Sequence, residues 1–229
     1  MNPDNPEADP GTLNWPQMLD RTGQDSTLNA TMLTFLTLAC LIGALGVVMD
    51  SSVTVVGAMV IGPEFGPLAA VAGALVHGPL SLARRASTAL LVGFPAAMAV
   101  TAGVVLAGEA LGWIQLRSTR QLSDVDFIFQ VGPLSFVVAL LAGAAGMLAL
   151  VSGRPSTLVG VFISVTTVPA AGFAVVAATR GWWPVAARSA AQLAVNLVGM
   201  VLAGVVVLWV RRFHDRRRRP SQARALPLT

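Results

Sequence analysis

Residues 52–79 read SVTVVGAMVIGPEFGPLAAVAGALVHGP. The stretch is apolar enough to lie in a bilayer, yet its middle is Gly62-Pro63-Glu64-Phe65-Gly66-Pro67. A proline has no N–H to give, and its ring collides with the preceding turn. A regular helix therefore breaks here. In hydrocarbon every backbone group freed by a break needs a partner. A broken helix with a carboxylate at mid-membrane is costly unless it lines a protected cavity, and the rest of the chain is read as support for that break.

The 229 residues are 55% hydrophobic and 11% charged, with a mean hydropathy of +0.71. A soluble domain carries about 25% charged residues. Apolar runs near the roughly 20 residues that span a bilayer recur along the chain, so the class is an all-α, polytopic membrane protein. A transmembrane barrel would alternate in short, aromatic-rich segments, whereas this chain has no Tyr and its apolar runs are continuous. The lone Cys40 lies in the first run and reads as a small packing residue. No Cys/His cluster suggests a metal, and no cofactor motif occurs. No nucleophile elbow, zinc-protease or phosphate-loop motif is present, and the spans lack paired Asp or Ser/His residues. The reading is not an enzyme.

Residues 1–27 are polar and acidic with four residues of Pro and Gly near the start, which predicts a disordered tail. Six spans follow: Leu28 to Val48, the broken stretch, Thr88 to Leu111, Pro133 to Val151, Ser156 to Thr179, and Val185 to Val210. Residues 113–130 form the longest loop, where Ser123 and Asp126 have the spacing of a capping box. Gly153 reads as the cap that ends the fourth span. Glu109, in the last turn of its span, reads as snorkelling to water, and Trp182 and Trp183 as an interfacial anchor. Residues 211–229 form an arginine-rich tail that would attract anionic lipid, and this is favoured over nucleic acid because the tail abuts a span. All fifteen basic residues are Arg. With both termini in the cytoplasm, eleven of these lie inside (Arg21, Arg84, Arg85, Arg154 and the tail) and four outside (Arg117, Arg120, Arg180, Arg188), which fits the positive-inside rule.

Sliding the chain by 103 residues against itself places Gly43 on Gly146, Leu45 on Leu148, Val48 on Val151, Thr54 on Thr157, Val56 on Val159, Gly57 on Gly160, Gly78 on Gly181 and Arg85 on Arg188. Residues 28–112 and 131–210 then form two three-span repeats. An odd number of spans per unit turns the second copy upside down. Both second spans are interrupted: Glu64 maps onto Thr167, beside Pro169. Inverted repeats with matched broken helices are the sequence pointer to a secondary transporter.

Glu64 is the sharpest candidate. A carboxylate at the bilayer centre costs roughly 3 kcal/mol on insertion scales and usually faces a cavity. It follows Pro63 at the start of a half-helix, where exposed N–H groups favour negative charge. Its expected role is to carry a proton or bind a cation. The competing reading is a cap for its own half-helix or a partner for an arginine. Gly62 and Gly66 allow close backbone approach, and Thr166 and Thr167 offer hydroxyls from the opposite break. Asn196 and Gln192, one turn apart on the sixth span, line a path or join helices. The expected site is thus Gly62, Pro63, Glu64, Gly66, Thr166, Thr167 and Asn196, with a small polar solute or ion as substrate. An ion or solute channel and a non-transporting scaffold or sensor are the alternatives. Small-residue faces such as Ala39, Gly43 and Gly46 predict a homo-oligomer.

The run Val56-Gly57-Ala58-Met59-Val60-Ile61-Gly62-Pro63-Glu64-Phe65-Gly66-Pro67 resembles the first motif of the bacterial domain-of-unknown-function 389 family. Val159-Gly160-Val161-Phe162-Ile163-Ser164-Val165 with Pro169 resembles the second. The similarity covers about residues 28–210. Members often have Pro-Pro in the second motif where this chain has Pro169-Ala170, which implies a milder second break. Many carry Leu or Met at the position of Glu64, so the role of the acid is argued from this chain alone. The resemblance implies a multi-pass protein of the bacterial inner membrane and assigns no activity.

Overall fold

The computed structural model describes residues 22–23, 26–114, 132–152 and 167–222, with side chains as far as residue 214. Among them lie seven helices of ten residues or more: α1 Ala30–Val48, α2 Ser52–Ile61, α3 Phe65–His77, α4 Leu80–Ala110, α5 Pro133–Val151, α6 Thr167–Thr179 and α7 Trp183–Gln222. Local chemistry sets their ends. The Asn29 side chain caps α1 by accepting from Met32 N at 2.7 Å, and Ser51 accepts from Thr54 N at the start of α2. Pro133 opens α5, where its missing N–H costs nothing. Gly112 and Gly181, at φ near +73° and +72°, end α4 and α6 in left-handed turns.

Four helices are long and apolar enough to cross a bilayer: α1, α4, α5 and α7 as far as His214. The pair α2–α3 passes the same test as one span bent by 51° at its break. Helix α6, at 13 residues, is the described part of the predicted fifth span. Large apolar side chains such as Leu91, Leu141 and Val206 stand outward at more than half exposure, as a surface bathed in lipid requires. The described residues are all-helical, with the long apolar helices of a membrane protein.

Two helices overrun their predicted spans. Helix α4 starts at Leu80, not Thr88, and α7 runs past Val210 to Gln222. Hydropathy marks where a helix leaves hydrocarbon, whereas backbone bonds continue into water, so the turns carrying Arg84, Arg85, Arg211 and Arg212 stay helical. The predicted N-terminal tail up to residue 21, the loop at 115–131 with Ser123 and Asp126, the Gly153 cap, Thr166 and the end of the chain lie outside the described residues.

The elements correspond at the 103-residue offset. Helices α1 and α5 are both 19 residues, and α4 and α7 begin at Leu80 and Trp183. Their packing corresponds too. Helix α1 packs on α4 as α5 packs on α7, α3 on α4 as α6 on α7, and α3 reaches across to α7 as α6 reaches across to α4. The core lies where α1 crosses α6. A Cβ on Gly172 would lie 2.7 Å from Ala44 N and 3.0 Å from Cys40 O, so only glycine lets the two backbones meet.

Candidate functional site

The break forms residue by residue. Helix α2 stops at Gly62, which is extended at ψ 127°. Pro63 prevents continuation, and α3 restarts at Phe65 with Glu64 at its N-cap position. Pro67 falls in the first turn of α3, where no intrahelical N–H is needed. Glu64 does not cap the helix with its own side chain.

That side chain turns inward instead. Glu64 is 4% exposed. Its Oε1 accepts a hydrogen bond from Thr167 Oγ1 at 2.5 Å, and Thr167 is itself buried in the first turn of α6. Its Oε2 has no hydrogen-bond partner in the structure. Among the described residues no basic side chain pairs with it. The ion pair among the described residues, Glu109 with Arg180 at 3.4 Å, joins the far ends of α4 and α6. Around the carboxyl lie Val168, fully buried, and Gly62, where any Cβ would run into Oε2 and come within 2.8 Å of Val168 Cγ2. Cys40, buried on α1, is within electrostatic reach of the acid. The site is thus a partly satisfied carboxyl where two helix starts and α1 meet. Such an oxygen can hold a proton or complete a cation's shell. No group of three or more His, Cys, Asp or Glu occurs among the described residues.

Of the expected site residues, Gly62, Glu64 and Thr167 come together, with Pro63 and Gly66 half-buried in the same turn. Thr166 lies outside the described residues. Asn196 is buried on α7 and accepts from Gln192 Nε2 at 3.3 Å on its own helix. It shares a face with Gly199 and Met200, which pack against Ala139 and Gly143 of α5. The Glu64 carboxyl bonds to Thr167, and its Oε2 lies over Gly62.

Two contacts were not expected from the sequence. Glu109 pairs with Arg180 instead of reaching water alone. At the other end, Arg212 Nη1 donates to Val76 O at 2.6 Å, tying α7 to the end of α3. The offset could have found both: it maps Glu109 onto Arg212 and Arg180 onto His77, the neighbour of Val76.

A family described as Domain of unknown function (DUF389) matches residues 59–202. No curated protein and no solved structure matches the chain.

Proposed function

The chain belongs to the DUF389 family, and on that premise we propose a secondary carrier of a small polar solute, built as two inverted three-helix units around Glu64. The observation that carries this reading is the Glu64 carboxyl: buried at a helix break, held by one hydroxyl, with one oxygen left free. An intramembrane acid of this kind ordinarily serves a transport path. Its Thr167 partner is the residue 103 positions on, its own counterpart. Counterparts that touch lie on the axis relating two units, where carriers of this design place their site.

The inverted arrangement draws support from the two end contacts. Helix α4 runs from the turn after Val76 toward Arg180, which pairs with Glu109. Helix α7 leaves the turn after Arg180 and ends with Arg212 on Val76. The counterparts α4 and α7 therefore run antiparallel. In this reading the protein sits in the bacterial cytoplasmic membrane, as a homo-oligomer, with both termini inside.

The test needs no knowledge of the solute. Gly66→Cys, in a Cys40→Ala background, is probed with an impermeant maleimide from each membrane face, alongside planar-bilayer conductance. A carrier gives labelling from both faces without ohmic current. Current at baseline with no labelling from either face sinks the reading in favour of a scaffold, and steady ohmic current turns it into a channel.

A further inference from the structure

We propose that an outward-facing groove between α4 and α7 binds one acyl chain of an anionic phospholipid, whose phosphate rests on Arg84. This site is separate from the Glu64 break and from the arginines after the last span. The groove holds about 320 Å³. Leu68 of α3 and Leu90 of α4, both buried, form its floor, and Leu91, Val198 and Leu202, all exposed, form its walls. Ser87 is the one hydroxyl in the lining and lies at the α4 N-terminal end.

The length of the groove suits a hydrocarbon chain. Along α7 the lining runs from Ala194 to Leu202, about 12 Å at 1.5 Å per residue. A length of about 12 Å fits one leaflet, half of the roughly 30 Å hydrocarbon core.

Charge favours an anionic headgroup. Arg84 stands three residues before Ser87 and seven before Leu91, on the same helix face, so its guanidinium sits about one turn outside the mouth. Arg84 is exposed, and no ion pair engages it among the described residues. Its neighbour Arg85 is occupied: Nη2 donates to Gly23 O at 2.6 Å. Arg84 is thus an exposed cation above an apolar slot with a hydroxyl at its entrance.

Brominated phospholipids test this locally. The five tryptophans are replaced by Phe and one Trp is placed at Leu91 in the groove, or at Leu141 on α5 as a control. In mixed bilayers, brominated phosphatidylglycerol should bind beside the groove Trp about fivefold more tightly than brominated phosphatidylcholine, the factor that corresponds to one arginine near a bilayer surface. The control should show no preference, and Arg84→Gln should abolish it in the groove. A preference that survives Arg84→Gln overturns the proposal. So does a groove Trp that no brominated lipid quenches, the result expected if protein covers the face. Should the tryptophan-free chain fail to fold, native mass spectrometry of the natural chain and of Arg84→Gln decides. Loss of one co-purified anionic lipid in the variant supports the site, and equal retention refutes it.

Discussion

The Thr167 hydroxyl is the side-chain donor to the Glu64 carboxyl among the described residues, so removing it takes a hydrogen bond from a buried acid. Thr167→Val keeps the shape and deletes the donor. The expected cost is about 1–3 kcal/mol, read as a lower thermal midpoint in detergent, and Thr167→Ser should recover most of it. Glu64→Gln is a different change. It preserves volume and the Thr167 bond while removing the ionisable group, so stability should change little. What should vanish is modification by dicyclohexylcarbodiimide, an apolar reagent for buried carboxyls, measured as an intact-mass increment. A Glu64→Gln chain that still takes up the reagent at this position's peptide would mean another acid had been labelled. Gly62 belongs to the same scale: Gly62→Ala drives a methyl into the carboxyl and toward Val168, and such overpacking costs about 1–3 kcal/mol.

Among the helices, the break and the crossing of α1 with α6 depend on positions that tolerate no side-chain growth. At Gly172 the obstacles to a Cβ are backbone atoms of α1, which cannot rotate away. Gly172→Ala must therefore part the two helices, and by the same overpacking range it should cost about 1–3 kcal/mol. A midpoint unchanged by Gly172→Ala would show that this crossing yields more easily than its backbone contacts imply. The α2–α3 break was legible in the sequence because Gly-Pro-Glu-Phe-Gly-Pro acts on its own backbone. The small residues of α1 announced a close contact but not with which helix, since every apolar run offers similar small faces. Arg84 and Arg85 lie in a helical turn that hydropathy excluded from the span. The 103-residue offset makes Thr167 the counterpart of Glu64, yet that the two bond follows only once α3 and α6 are brought together.

For the molecule as a whole, the two end contacts sit at opposite ends of α4 and, in the carrier reading, act as latches on opposite faces. Glu109–Arg180 ties α4 to the end of α6, and Arg212–Val76 O ties α7 to the end of α3. Both are made at once, one at the C-terminal end of α3 and the other just after that of α6. In the carrier reading, opening one face means releasing one latch. The ion pair is partly exposed, at 35% and 22% of its side chains, so it is worth at most about 1 kcal/mol. Its loss by Glu109→Gln should then shift the population toward the outward-open form by up to about fivefold. The charge-assisted bond of Arg212 is worth about 1.5–3 kcal/mol, and Arg212→Gln should bias the opposite way more strongly. With Gly66→Cys as reporter, Glu109→Gln should speed maleimide labelling from the face of Arg180, and Arg212→Gln from the face of Val76. The exchanged pair Glu109→Arg with Arg180→Glu should return the first rate toward its original value. If both single variants speed labelling from the same face, the latches do not oppose each other. The latch reading of a carrier that opens one face at a time would then fail.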